Sequence, residues 1–449
     1  MSGEKALLEP ARAYHGCVEA AFEWLFARQR FGVRPGLGRT RKLLRALDDP
    51  QQAFKVILVG GSNGKGSTAA ALACMLRAAG RPAGLFTSPH LTRLTERFVI
   101  DGQEADREML AQALERLRPH AEAAGATFFE VVTAVACLLF AQAGVKIAVM
   151  EVGLGGRLDA TNALEPELAV ITSIALEHTG VLGDTVSAIA REKAGIMRCG
   201  RTCLTGASGE ALSVLQELAR ELGAELQALA LASAWSTGSR DLALSRVVSH
   251  GLQGTELTLR TPAASLDLFT PLIGSHQARN VALSAAAARH LELPREAIVA
   301  GARRVRWPGR LEPLAYHGRT FLLDGAHNPE AARRLAETIA AIHLERAVLI
   351  FSVSGDKDAT GMIESLAPLV RLVVLTRPRL GVRASDPAEL ARLWSRPALL
   401  AATPEQALKL AVAETELGET VIVAGSLYLI GEIRPLLTGE PLEPFERWQ

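Results

Sequence analysis

Apolar and polar positions along this chain fall into blocks whose period switches between that of a helix and that of a strand. Between residues 12 and 30, Tyr14, Val18, Phe22, Leu25 and Phe26 share one helical face. A glycine- and proline-rich loop runs from Phe31 to Gly38, and a short helix is expected over Arg39 to Leu47. Val56-Ile57-Leu58-Val59 is an unbroken β-branched and aliphatic run that predicts a buried strand. Thr68 to Ala79, rich in alanine and leucine, predicts a helix. Further strands are expected at Pro82 to Thr87, Ile147 to Val152 and Ala169 to Ile174. Between them lie a charged amphipathic helix (106–124) and a very apolar one (Val131 to Ala143). A later helix is expected from Asp184, as its N-cap, to Met197.

The pattern changes after residue 200. A helix near 209–223 gives way to alternating Thr, Leu and Val, with short antiparallel strands at Leu257-Thr258-Leu259 and Leu266-Asp267-Leu268. This is a small β-rich edge or subdomain. An alanine-rich helix then opens near Gly274 and runs to His290. Two prolines between Val305 and Pro313 mark a linker. Beyond it strands at Phe321 to Leu323, Ala347 to Phe351, Leu372 to Leu375 and Val421 to Val423 alternate with helices. The expected fold is α/β: an N-terminal domain over 1–302, a linker over 303–313, and a second parallel, Rossmann-like α/β domain over 314–449.

Composition narrows the function classes. With 449 residues, 49% hydrophobic and 22% charged, the chain can bury two sizeable cores. A net charge of +1 with no basic tract gives no electrostatic footprint for nucleic acid or an anionic membrane. No apolar run is long enough to span a bilayer, and Glu4, Lys5 and Glu9 interrupt any signal-peptide core. Cys17, Cys74, Cys137, Cys199 and Cys203 lack zinc spacing and read as free thiols. A cytoplasmic protein is expected.

The candidate chemistry sits at strand ends. Val59-Gly60-Gly61-Ser62-Asn63-Gly64-Lys65-Gly66-Ser67-Thr68 joins a strand to a helix through glycines, a lysine and hydroxyls, the layout of a phosphate cradle. It is a variant, because Val59 and Gly66 stand where the common pattern has glycine and a hydroxyl. Lys65 would reach the terminal phosphates, and Ser67 or Thr68 would offer oxygen to Mg²⁺. Three more strand ends carry Ser88, Glu151 and His178. A carboxylate in a buried strand end needs a cation, either a partner such as Arg157 or Mg²⁺. By pattern alone Lys193 is a solvated helix lysine.

Several motifs agree in order and spacing with one family. Gly-Ser-Asn-Gly-Lys-Gly-Ser, Ser-Pro-His-Leu, Glu-Val-Gly-Leu-Gly-Gly-Arg-Leu-Asp-Ala-Thr-Asn, Glu-Lys-Ala-Gly-Ile, His-Gln-x-x-Asn, Trp-Pro-Gly-Arg-Leu-Glu and Asp-Gly-Ala-His-Asn-Pro occur in turn. Together they resemble the bacterial dihydrofolate synthase/folylpolyglutamate synthase family of the Mur ligase superfamily. The resemblance implies that Gly61, Ser62, Asn63, Gly64, Lys65, Gly66 and Ser67 hold ATP, with Asn280, Arg310 and Asp324. It implies that Ser88, Glu151 and His178 bind Mg²⁺, and that Lys193 is carbamylated and binds a second Mg²⁺. Thr127, Phe128, Phe129, Glu130, Leu158, Asp159 and Ala160 would contact the pteroate, and His327 and Ser426 the incoming glutamate. Lys65, His178 and Lys193 would be the catalytic set.

The implied reaction is ATP-dependent addition of L-glutamate to dihydropteroate or to tetrahydrofolate polyglutamates through an acyl phosphate, by a monomer. The sequence departs from the family at Glu177, where Asp is usual, and at Ser62, where Thr is usual. Two rivals from other classes are a UDP-muramoyl amino-acid ligase and a regulatory P-loop NTPase. The first usually carries an extra N-terminal domain, and the second has no need of a further α/β domain with Asp324 and His327 at its strand ends.

Overall fold

Alternate residues of the run Val56–Val59 enter two different cores. Val56 and Leu58 join one apolar cluster, while Ile57 and Val59 join another on the opposite face. A strand buried on both faces needs helices on both sides, and that is the architecture of the computed structural model. It describes residues 18–231, 242–262, 264–344, 346–379 and 384–440. Tyr14 and Cys17 lie outside this set; the expected first helix is seen over 18–27.

The first sheet contains β1 (Lys55–Gly60), β2 (Ala83–Phe86), β3 (Phe98–Ile100), β4 (Gln103–Glu104), β5 (Ile147–Glu151) and β6 (Pro166–Ile171). It continues with β7 (Thr202–Thr205), β8 (Glu225–Leu231), β9 (Leu242–Ser249), β10 (Thr255–Arg260) and β11 (Ser265–Thr270). The order of its 11 strands is β11-β10-β9-β8-β7-β6-β1-β5-β2-β3-β4. The centre is parallel, and β3–β4 and β10–β11 form antiparallel edges. The β-rich stretch is therefore a sheet edge.

The second sheet contains β12 (Arg310–Tyr316), β13 (Arg319–Asp324), β14 (Ala347–Phe351), β15 (Val370–Leu375), β16 (Ala398–Leu400) and β17 (Thr420–Ala424), in the order β12-β13-β17-β14-β15-β16. It too has a core on each face.

Several expectations shift. The expected linker over 303–313 contains the end of a helix (Arg295–Arg304) and the first residues of β12. β12 runs antiparallel to β13, so the second sheet is not wholly parallel. β6 spans Pro166–Ile171 rather than Ala169 to Ile174, because Leu168 to Ile171 is the part in register with β7. The helix expected from Asp184 is Val186–Ala194, and Thr185 caps it by accepting from the Ala188 N–H. Cys74, Cys137, Cys199 and Cys203 are free thiols. Among the described residues no helix is long and apolar enough to cross a membrane.

Candidate active site

The loop after β1 turns into helix Lys65–Ala78 at Gly64, whose φ of 87° suits glycine. A Cβ there would fall inside van der Waals contact of the Asn280 amide, and one on Gly66 would stand 2.6 Å from the Trp307 ring. The loop is thus shaped to lie against the helix Ser275–His290 on one side and the segment entering β12 on the other. Lys65 Nζ donates to the Gly61 and Ser62 carbonyls at 3.1 Å each, which holds it over the loop. The Ser62 hydroxyl instead pairs with the Ala175 backbone, and Thr172 Oγ1 donates to the Asn63 carbonyl at 2.7 Å. Ser67 lines the cavity described below; the Thr68 hydroxyl is buried without a partner, so Ser67 is the better-placed oxygen.

Glu151 ends β5 and is 4% exposed. Its Oε2 accepts from the Ser88 N–H at 2.8 Å, which places the ends of β2 and β5 side by side. Arg157, the partner considered for it, pairs with Glu192 at 2.7 Å instead. No described lysine or arginine forms a salt bridge with Glu151. Burial pushes its carboxyl up, against the pull of Lys65, the Ser88 N–H, Arg310 and Arg97. A buried carboxylate facing a cavity without a direct protein cation fits a hard divalent ion. Among the described residues no three His, Cys, Asp or Glu side chains form a ready metal cluster. A metal here would therefore draw on hydroxyl or substrate oxygens as well. His178 holds a left-handed φ of 46° at the start of a short turn of helix, a strained conformation for a non-glycine residue.

Lys193 differs most from its pattern-based reading. It is 1% exposed, and its Nζ donates to Glu177 Oε1 at 2.7 Å. Burial lowers its pKa to about 8, although Glu177 opposes the shift. Burial also disfavours the Glu177 carboxylate, but Lys65 and Lys193 outweigh it and hold that carboxyl below its ordinary range.

The second sheet supplies the facing wall. Asp324 ends β13, opposite Arg310 of β12. Its oxygens accept from the Leu311 and Ala326 N–H groups, both at 2.9 Å, and burial raises its pKa against Arg310. His327 Nδ1 lies 2.9 Å from the Gly325 carbonyl, and burial lowers its pKa to about 4. His276 is lowered to about 4 for the same reason, with Arg334 and Arg310 adding to it. The Ser426 hydroxyl accepts from the Tyr428 N–H and caps helix Leu427–Thr438.

All these strand ends open on one cavity of about 1790 Å³ between the two sheets. Every candidate residue lines it except Gly61, Thr68 and Lys193. Strand C-terminal ends are where open α/β sheets take ligands. Some candidates have local structural duties as well. Thr127 and Glu130 form a reciprocal capping box on helix Phe128–Gln142, and Glu130 pairs with Arg39 at 2.8 Å. Asp159 accepts from the Leu154 N–H and from Thr161. Phe129 packs against Gly153 and Phe86. Leu158 is 37% exposed at the cavity mouth.

Pattern reading missed Thr172 and Ser173, which tie Asn63 in place. Placing their strand three residues late made them look like strand interior. It also passed over Trp307, although a tryptophan beside Pro308-Gly309 was the available signal. Lys357, a few residues beyond β14, lines the same cavity and was also passed over.

Comparisons with known proteins agree with this arrangement. Residues 59–288 match the Mur ligase middle domain, and residues 309–427 match the Mur ligase glutamate ligase domain. A dihydrofolate synthase/folylpolyglutamate synthase of Bacillus subtilis is 35% identical over 439 residues, covering 93% of this chain and 98% of that protein. A probable bifunctional folylpolyglutamate synthase/dihydropteroate synthase of Haloferax volcanii is 37% identical over 436 residues, 95% of this chain. This chain spans about half the length of that relative, 50%.

Among solved structures, Mycobacterium tuberculosis folylpolyglutamate synthase complexed with ADP superposes with a TM-score of 0.86 at 30% identity, covering 96% of this chain and 100% of that one. Escherichia coli FolC in complex with DHPP and ADP gives 0.84 at 30% identity, covering 93% and 98%. The Yersinia pestis bifunctional enzyme complexed with AMPPNP and a Mn ion gives 0.82 at 31% identity, covering 94% and 98%.

Proposed function

The chain belongs to the Mur ligase family, in its dihydrofolate synthase/folylpolyglutamate synthase group, and from that premise we propose an ATP-dependent glutamate ligase. Its substrates are dihydropteroate or folyl(poly)glutamates and L-glutamate, and its products include ADP and phosphate. The observation that carries this reading is convergence. Lys65, Ser88 and Glu151 from the first sheet and Arg310, Asp324 and His327 from the second line one cavity.

The chemistry follows from that placement. A pteroate or folyl carboxylate oxygen attacks the γ-phosphorus of ATP; a P–O bond forms and the bond to the β-phosphate oxygen breaks. The α-amine of glutamate then attacks the acyl carbon. A C–N bond forms, phosphate leaves with the C–O electron pair, and the amine loses a proton. Lys65 and the N–H groups at Gly64 to Ser67 hold the phosphates and offset their charge. Asn280, Arg310 and Asp324 orient the nucleotide. Thr127 to Glu130 and Leu158 to Ala160 shape the pteroate wall, and His327 and Ser426 meet the glutamate. Closure of the cleft between the two sheets would keep water from the acyl phosphate.

Ser88, Glu151 and His178 are the residues that would hold Mg²⁺, which supplies charge neutralisation for the phosphate oxygens when bound. Lys193 is the second proposed metal position, once carbamylated. Only a neutral amine adds to CO₂, and a pKa near 8 makes that form accessible. The nitrogen lone pair forms the N–C bond, the π pair of one C=O of CO₂ moves onto its oxygen, and nitrogen releases a proton. The resulting anion would repel Glu177, so carbamylation replaces the Lys193–Glu177 ion pair with contacts to a cation. We place the protein in the cytoplasm and take it to act as a monomer, because one chain furnishes both walls of the site and no second copy is needed to complete it.

Incubation of the purified protein with ATP, Mg²⁺, L-glutamate and either dihydropteroate or tetrahydrofolate tests the proposal. Mass spectrometry should show a product heavier by one glutamyl residue, with ADP formed in step. ADP formation that ignores both pteridine substrates would overturn it.

A further inference from the structure

We propose that the loop over residues 87–97 is a strap through which the position of the second sheet sets the Ser88–Glu151 site, with Leu91 as its positioning residue. The inference rests on the ligand roles proposed above for Ser88 and Glu151.

One end of the loop belongs to the site. Ser88 follows β2, and its N–H donates to Glu151 Oε2 at 2.8 Å. The loop is braced from within, so it can move as a unit. The Glu96 carboxylate accepts from the N–H groups of Leu91 at 2.7 Å, Thr92 at 3.1 Å and Arg93 at 3.0 Å. Arg97, 2% exposed, donates from Nε to His90 Nδ1 at 2.8 Å.

The other end is anchored on the second sheet and its helices. The Leu91 side chain packs against the apolar cluster formed by Phe321, Leu323, Leu429, Ile430 and Ile433. The Leu91 carbonyl lies so close over Gly431, inside helix Leu427–Thr438, that a Cβ there would collide with it. Arg93 donates to Glu440 at 2.9 Å, and Arg434 ties Glu440 to Glu312 of β12. A braced unit with a site donor at one end and a two-point anchor at the other transmits displacement between them. A loop that merely filled space would need neither the close approach at Gly431 nor the ion network.

The decisive variant is Gly431→Ala. Gly431 does not itself line the cavity, and alanine suits a helix interior better than glycine. The added methyl pushes the strap away. Binding of Mn²⁺ in the presence of a non-hydrolysable ATP analogue, read by electron paramagnetic resonance, should weaken about tenfold, the size of an ordinary coupling through packed elements. The kcat should fall by a similar factor, with the KM for the pteridine substrate unchanged. Leu91→Ala should reproduce the loss, Leu91→Met should restore binding, and the double variant with Gly431→Ala should be no worse than either single change.

Glu151→Gln is the control. If folded Gly431→Ala and Leu91→Ala proteins bind Mn²⁺ like wild type while Glu151→Gln does not, the strap is overturned and the site stands. If Glu151→Gln also binds like wild type, the ligand roles fail and the strap's function falls with them.

Discussion

Lys65 is the side chain with most to lose by substitution. It sits at the first turn of helix Lys65–Ala78, tethered to two loop carbonyls, and forms no salt bridge with a described carboxylate. Lys65→Ala should leave the melting temperature near wild type and lower kcat/KM by about 10²–10³-fold or more, the scale for removing a charge-stabilising donor. Wild-type turnover would contradict its role on the triphosphate. Lys193 gives a second test. Activity should require dissolved CO₂ or bicarbonate, and Lys193→Ala should be nearly inactive but partly rescued by acetate. An unmodified ammonium still bonded to Glu177 in crystals of the active, metal-loaded enzyme would contradict carbamylation. His276 and His327 predict a pH effect. Both are held near pKa 4 by burial, below the ordinary 6.5. As pH falls through that window the unfolded chain takes up protons that the folded one refuses, so stability is full above 6.5 and declines towards 4. Replacing His276 with Gln should flatten the fall in melting temperature between those limits; an unchanged slope would mean that its burial has no protonation cost. At this scale the sequence pattern singled out Lys65 and Glu151, both of which line the cavity, because a glycine loop and a carboxylate in an apolar run are local signals. It could not reveal the burial of Lys193. That comes from packing around Lys193 and its ion pair with Glu177, 16 positions earlier, which no local period of the sequence marks.

Elements were legible where a period was long and bounded. The apolar helix Phe128–Gln142 shows this, and so does its starting signal, Thr127 with Glu130 three residues on. The resemblance gave both residues to the substrate, whereas the structure also uses them as a cap. Thr127→Ala should cost about 1 kcal/mol of stability, as cap removal does, and Thr127→Ser should recover most of it. Denaturant titration of the two variants decides this; equal stability of Ala and wild type would leave only a substrate role. Gly66 links elements in another way. Its bare Cα admits Trp307, which carries the chain from the first sheet's helices towards β12. That contact was illegible, because it joins a loop to a residue 241 positions later (307 − 66). The β6 boundary failed for a different reason. Thr172 and Ser173 have strand-compatible side chains, and only their hydrogen bonds to the Asn63 backbone mark them as loop residues.

The whole molecule presents two sheets with their strand C-terminal ends turned to a shared cavity of about 1790 Å³. The repeated strand–helix alternation predicted two α/β units. It did not predict the antiparallel β12 or the loop that reaches across to Gly431, since both depend on how the two halves meet. Because nucleotide-facing residues come from both walls, a non-hydrolysable ATP analogue should draw them together and reduce the radius of gyration seen by small-angle scattering. Identical scattering with saturating analogue would show that ATP needs only one wall. Activation of a substrate carboxylate by ATP can be followed most directly with an isotope. A pteridine substrate labelled with ¹⁸O in its reacting carboxyl, turned over with ATP and glutamate, should release phosphate carrying one ¹⁸O, with the other label retained in the amide. Phosphate without ¹⁸O would mean that the substrate carboxylate oxygen never bonded to phosphorus, and would contradict an acyl-phosphate ligase.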